Sequence, residues 1–334
     1  MSKTESFLID SYGRKITYLR VSVTDRCNLR CLYCMPRKSF KWIPHDNILR
    51  FEEIVRLSSI LVKMGIKKIR LTGGEPLVRK GFSNLVKELS TIKGLEKICL
   101  TTNGTLLSQY AQKLYEAGLR HINISIDSLN PKTYAQITGQ DALKEVLTAL
   151  DQVERLGFNP IKINCVVLKG INDKDVVDLA ALSIKRPFQI RFIEFMSIGN
   201  NNSWTPDMFV SSEDTKRLIE EKLGSLSVVS KKTGRGPAQI FKLDGARGEI
   251  GFISPLSHHF CATCNRIRLT ADGKLRLCLF SDKEWEVLSL LRDNVSDKEL
   301  EEFFRKAIKA KPMEHFGDVI HVPTCRKNMS KIGG

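Results

Sequence analysis

Six of the nine cysteines of this chain fall into two triads. Cys27, Cys31 and Cys34 have the spacing C-x3-C-x2-C, and Cys261, Cys264 and Cys278 the spacing C-x2-C-x13-C. Thiolates are soft ligands that select zinc, copper(I) or iron-sulfur centres. Structural zinc closes a tetrahedral shell of four ligands, and each triad supplies three. Near the first triad the closest imidazole is His45, which follows Pro44 in a polar segment and reads as a surface residue. An iron-sulfur cluster on three cysteines keeps one iron open to a substrate, a use for an incomplete shell that structural zinc lacks. At the second triad zinc and iron-sulfur stay evenly matched on spacing alone. C-x2-C is a common zinc half-site, and His258, His259 or Cys325 is available as a fourth ligand. Cys325 otherwise reads as a free thiol in the tail.

Two further stretches carry chemistry. Gly73-Gly74-Glu75-Pro76 places two residues without side chains where backbone can approach a ligand closely, although an ordinary turn would use the same residues. Arg266 and Arg268 stand two apart directly after Cys264, on one face of a short strand. Guanidinium forks suit bidentate phosphate recognition.

The elements that must hold these residues alternate. β-Branched runs at 17–23, 68–72, 97–101, 121–126, 162–168 and 189–194 predict strands. Amphipathic stretches at about 51–64, 82–89, 108–117, 142–156 and 173–182 predict helices, several closed by a glycine such as Gly65, Gly118 or Gly157. The expected fold is α/β, a partial (β/α)6 TIM-like barrel over residues 1–200, followed by a C-terminal module of short strands and helices over 201–334. In that module strands are expected at 239–243 and 249–253, and helices near 212–222, 283–291 and 297–309, with a Gly/Lys-rich break at 231–237. The candidate residues fall at strand ends, where a barrel of this kind builds its active site. The first triad follows the first strand, the double glycine the second, Asn103 the third, Asp127 the fourth and Met196 the sixth.

The 334 residues carry 53 Lys and Arg against 37 Asp and Glu, a formal charge of +16 at pH 7. An anionic partner follows from this, without its identity. A zinc-stapled nucleic-acid-binding protein is the rival class, but aromatic residues make up only 7% and do not interleave with basic positions as base stacking requires. The cysteines are too few and too clustered for a disulfide framework. No signal sequence opens the chain, and no apolar run approaches the roughly 18 residues of a membrane span. The expected location is the cytoplasm, with neither membrane nor nucleic acid as partner.

The first triad, with Tyr33 before its third cysteine and the GGEP turn behind it, resembles the signature of the radical S-adenosylmethionine (SAM) enzymes. The second triad, Arg266-Ile267-Arg268 and the terminal Gly333-Gly334 narrow the resemblance to the GTP 3′,8-cyclase family that opens molybdenum cofactor synthesis, from about Arg20 to Gly334. The last two features argue against a radical SAM enzyme that modifies a peptide or RNA.

The resemblance implies two 4Fe-4S clusters, one on each triad, with SAM on the open iron of the first and guanine on that of the second. It implies SAM contacts from Tyr33, Gly74, Ser125 and Met196, and GTP contacts from Arg20, Lys68, Arg70, Thr101, Lys162, Arg191, Arg266 and Arg268. It assigns Gly333 and Gly334 a part in the cyclisation. A 5′-deoxyadenosyl radical takes the ribose 3′ hydrogen of GTP, and attack on carbon 8 gives 3′,8-cyclo-7,8-dihydro-GTP. Family members further suggest a homodimer, a flavodoxin-like or ferredoxin-like reductant, and transfer of the product to cyclic pyranopterin monophosphate synthase.

Overall fold

The computed structural model describes residues 7–35, 40–199, 205–229, 236–315 and 325–333. The expected break at 231–237 therefore lies largely outside the described residues, as does Gly334. The chain runs β1 (Tyr18–Ser22), α1 (Phe51–Lys63), β2 (Lys68–Thr72), α2 (Phe82–Ser90), β3 (Lys97–Thr102), α3 (Leu107–Glu116), β4 (His121–Ser125), α4 (Pro131–Thr138) and α5 (Leu143–Arg155). It continues with β5 (Ile161–Val167), α6 (Val176–Lys185), β6 (Gln189–Glu194), α7 (Ser212–Leu223), β7 (Leu226–Val228), β8 (Gln239–Leu243) and β9 (Glu249–Ile253). Then follow β10 (Arg266–Leu269), β11 (Lys274–Arg276), β12 (Trp285–Glu286), α8 (Leu288–Arg292), α9 (Asp297–Lys309) and α10 (Met329–Ile332).

All the strands belong to one 12-stranded sheet in the order β12-β11-β10-β1-β2-β3-β4-β5-β6-β9-β8-β7. The central run from β10 to β9 is parallel throughout. Strands from the later part of the chain thus flank the six βα units on both sides: β10 pairs with β1, and β9 with β6. Among the described residues β12 and β7 remain as free edges, so the barrel is partial.

Period-two alternation divides each strand between two environments. In β1, Leu19 and Val21 are fully buried in a core shared with Ile54, Leu57 and Leu61, which recur at helical spacing along α1. The alternate positions Tyr18 and Arg20 line the opposite, concave face, as do Lys68, Arg70 and Thr72 of β2, Asn123 and Ser125 of β4, and Arg266 and Arg268 of β10. The helices cover one side of the sheet and leave a polar, basic trough on the other.

Two expectations need correction. The stretch 283–291 is not one helix: Trp285 pairs with Leu275 as an added edge strand, and the helix begins only at Leu288. Sheet pairing, a non-local interaction, overrides the helical periodicity there. Helix α4 was not anticipated, although Asn130 caps the amides of Lys132 and Thr133 and Pro131 occupies the first turn.

A candidate active site between two cysteine triads

The loop after β1 carries the first triad and is held from several sides. The Cys27 thiol accepts from the Leu29 amide at 3.3 Å and is approached by the Asn103 side-chain amide at 3.8 Å. The end of α4 clamps the middle of the loop, since Arg30 and Leu32 amides donate to the carbonyls of Thr138 and Ile137. The GGEP turn lies directly against the loop: the Gly74 amide donates to Thr24 and the Glu75 amide to Arg26, both at 2.8 Å. A Cβ on Gly74 would stand 2.3 Å from the Arg26 carbonyl oxygen, so no other residue fits that approach. Burial pushes the Glu75 carboxyl up to about 7, against three hydrogen bonds from Asn103, Leu77 and Thr102 that favour its charge.

Tyr33 points back across the loop and donates to Asp127 at 2.7 Å, while the Val166 amide donates to the other carboxylate oxygen at 2.9 Å. Burial raises the Asp127 carboxyl to about 6. Burial likewise pushes the Cys27 thiol up to about 11 and the Cys34 thiol to about 12. Thiols held so strongly protonated become ligands only when a metal supplies the compensating charge.

The second triad sits at the other end of the strands. Cys261 and Cys264 precede β10, whose first residue Arg266 pairs with Tyr18 at the start of β1; β11 then runs back antiparallel and delivers Cys278 to the same end. The first triad instead follows the last residue of β1. At roughly 3.3 Å per residue, the strand length alone separates these ends by about 13 Å. Burial raises the Cys264 thiol, but the nearby charges of Lys311 and Arg266 outweigh it and bring the group below its ordinary value. Lys311 is buried, donating to the Arg266 carbonyl at 3.0 Å and to that of Leu277.

Residues of both triads line one cavity. Tyr33, Gly74, Ser125 and Met196 line it, together with Arg20, Lys68, Arg70, Thr101, Arg191, Arg266 and Arg268. Lys162 is not among the lining residues, although it shares a face of β5 with Asn164 and Val166, which are; burial and the charges of Arg191, Lys68 and Arg70 lower its amine to about 6. Burial first, and then the charges of Arg70 and Arg266, lower Arg20 and Arg191 to about 10. Among the described residues no carboxylate forms an ion pair with Arg20, Arg70 or Arg268, whose partners are hydroxyls and carbonyls. The Nε of Arg20 and the Oδ1 of Asn164 are buried without a hydrogen-bond partner among the described residues. Confining unpaired cations in this way costs several kcal/mol unless an anion is bound among them.

The tail closes the trough. The Ser330 amide reaches the Cys34 thiol, and the Gly333 carbonyl accepts from Arg268 at 3.3 Å and Arg20 at 3.5 Å. Gly333 has φ +83°, and a Cβ there would meet the Cβ of Ser22 at 2.8 Å. Upstream, Cys325 is buried against the Arg276 guanidinium at 3.3 Å, its carbonyl accepts from the Gly199 amide, and Lys327 pairs with Glu284 at 2.6 Å. Cys325, Met196, Cys278, Met329 and Ile332 share one small apolar cluster. The tail is therefore packed against both ends of the site.

Sequence reasoning did not single out Tyr18, Lys311 or Glu194. Glu194 accepts from the amides of Ser212, Leu256 and Ser257 and so fixes the turn leading to the second triad. Each owes its position to contacts between distant segments, for which the sequence carries no local signal.

The family described as the Radical SAM superfamily matches residues 21–182, and the one described as Molybdenum Cofactor Synthesis C matches residues 188–317. A GTP 3′,8-cyclase of Thermodesulfovibrio yellowstonii is 47% identical over 97% of this chain and 99% of its own length. Another from Petrotoga mobilis is 47% identical over 98% of this chain and 100% of its own. Among solved structures, Streptococcus suis SuiB is similar with a TM-score of 0.59 at 14% identity, covering 87% of this chain and 69% of SuiB. SuiB bound to S-adenosylmethionine gives 0.58 at 15% identity, over 93% of this chain and 78% of that one. At such identities the likeness is one of fold.

Proposed function

The chain belongs to the GTP 3′,8-cyclase family of the radical SAM superfamily, and we propose that the cavity with a cysteine triad at each end converts GTP to 3′,8-cyclo-7,8-dihydro-GTP at the head of molybdenum cofactor synthesis. The observation that carries this reading is the set of cavity-lining arginines, Arg70 and Arg268 buried and Arg20 partly so, that have no carboxylate partner among the described residues.

The triads fit iron-sulfur clusters better than zinc. A structural zinc shell takes four ligands, whereas each triad brings three thiolates to the cavity, the set that holds a 4Fe-4S cluster with one iron left open. Cys27, Cys31 and Cys34 would hold the first cluster and Cys261, Cys264 and Cys278 the second, with Tyr33, Gly74, Ser125 and Met196 around SAM. When bound and reduced, the first cluster with SAM supplies a 5′-deoxyadenosyl radical that takes the ribose 3′ hydrogen of GTP, so that carbon 3′ can close onto carbon 8.

The protein's own part is to bind, orient and seal. Glu75 ties the GGEP turn to Thr102 and Asn103, and Asp127 fixes the ring of Tyr33. Arg20, Lys68, Arg70, Lys162 and Arg191, with Thr101, receive the phosphates, and Arg266 and Arg268 lie between them and the second triad. Gly333 and Gly334 bring the tail to the reacting nucleotide. A homodimer in the cytoplasm, reduction by a flavodoxin-like or ferredoxin-like protein, and delivery to cyclic pyranopterin monophosphate synthase complete the reading.

Anaerobic reconstitution should give about eight irons per chain, and incubation with GTP, SAM and dithionite should give 5′-deoxyadenosine and a cyclised nucleotide. A colourless zinc protein that leaves GTP intact would refute it. Gly74→Ala forces the GGEP turn away from the Cys27 loop and should lower the iron content to about half. Unchanged iron in that variant would mean that the turn does not support the cluster.

Binding of GTP should weaken as the pH rises. In the empty site Lys162 is neutral above about pH 6, and bound phosphates pull it back toward its ordinary value of about 10.4. Between these values each binding event takes up a proton, so the dissociation constant rises by up to about tenfold per pH unit. Lys162→Met should flatten that slope in an isothermal titration series; a slope identical to the wild type would place Lys162 outside the linkage.

A further inference from the structure

Tyr18 has no part in the account so far, yet it occupies the middle of the cation cluster. Strand register sets it opposite Lys68 on one side and Arg266 on the other. Its hydroxyl oxygen accepts from Arg70 Nε at 2.7 Å, and the Lys68 ammonium lies 4.4 Å from its ring centroid. The ring is buried and lines the cavity. Arg70 is held on its other side by the Leu100 carbonyl and the Thr101 hydroxyl, neither of which carries charge.

We propose that the Tyr18 phenol is the built-in counter-group of the phosphate cradle, holding Arg70 and Lys68 in place in the empty enzyme and yielding them to the triphosphate of GTP. The role rests on the reading of the cavity as a GTP site. Burial alone would raise this phenol, but Arg70, Arg20 and Lys68 together outweigh it and bring the group to about 7; Cys99 acts weakly in the opposite sense. Arg266 faces it across the β1–β10 pair. The phenol is therefore largely ionised at pH 8 in the empty site. When phosphates neutralise the surrounding cations, burial prevails, the phenolate takes one proton from the solvent, and a neutral hydroxyl remains beside Arg70. Tyr18 is thus a positioning residue, acting on substrate through the cations it holds.

The test uses reconstituted holoenzyme without reductant, so that nothing turns over. GTP is titrated calorimetrically at pH 8 in two buffers of different ionisation enthalpy, which reads protons taken up per GTP bound. Tyr18→Phe should take up fewer protons than the wild type, by up to about one per GTP bound, the proton taken up by the ionised phenol. The Lys162 contribution is common to both proteins and cancels. Tyr18→Gln, which keeps an acceptor for Arg70 but cannot ionise, should show the same missing proton and bind GTP more tightly than Tyr18→Phe. A lost packing contact would change affinity without changing the proton count. Equal uptake by the wild type and either folded variant overturns the proposal. Failure of the wild type to bind GTP overturns the cradle and, with it, this role.

Discussion

Cys27→Ala should reduce SAM cleavage to the uncatalysed background, while Cys264→Ala should continue to release 5′-deoxyadenosine and yet lose GTP cyclisation by at least about two orders of magnitude. The asymmetry follows from the separation of the triads along the strands. Cys27 shares its loop with Tyr33 and its wall with Gly74, and losing it removes the centre around which SAM is assembled. Cys264 lies at the opposite end, beside Lys311 and Arg266, where its loss leaves the first centre intact but frees one end of the nucleotide. A displacement of about 1 Å in a reacting group costs on the order of a hundredfold, and a base without its anchor moves further than that. Quantifying 5′-deoxyadenosine and cyclised nucleotide separately checks both halves. Equal loss of both products in both folded variants would mean that the two triads do not divide the work in this way.

Arg268→Ala should weaken GTP binding by about 30- to 5,000-fold, because truncating one member of a buried, charge-paired contact costs about 2–5 kcal/mol. Arg268 is buried, and burial with the charges of Arg20 and Arg266 holds it well below its ordinary value, so it gains more from a phosphate than a surface arginine does. It also donates to the Gly333 carbonyl. The variant should therefore yield more 5′-deoxyadenosine per cyclised nucleotide even at saturating GTP, as the tail loses one of its two arginine contacts. Equilibrium binding and the ratio of the two products measure these effects independently. Wild-type affinity in Arg268→Ala would remove this residue from the cradle.

What was legible in the sequence was what is encoded locally. The two triads, the GGEP turn and the Arg266–Arg268 pair are spacings within short stretches, and each contributes residues to the cavity lining. The helix Asp297–Lys309 lies where it was expected, and Ser296 and Glu299 form a capping box at its start, a local signal of the same kind. Residues positioned by pairing between distant strands were not legible. Tyr18 gains its surroundings from β2 and β10, and Lys311 reaches the second triad only because α9 ends beside β10. Lys162 illustrates a mixed case. Its place in β5 and on the face shared with Asn164 and Val166 follows from the alternation, but that the lining stops short of it is visible only in three dimensions. The tail is similar: Gly333 was marked as functional by resemblance, while the Arg276, Glu284 and Cys325 contacts that anchor it upstream are visible only in three dimensions.

The central claim is that a radical formed at the first triad acts on a nucleotide held across the cavity from the second. The most direct measurement is incubation of the reduced holoenzyme with SAM and GTP carrying deuterium at the ribose 3′ carbon, followed by mass analysis of the 5′-deoxyadenosine. The account predicts 5′-deoxyadenosine one mass unit heavier, in step with formation of the cyclised nucleotide. Unlabelled 5′-deoxyadenosine together with intact GTP would contradict it.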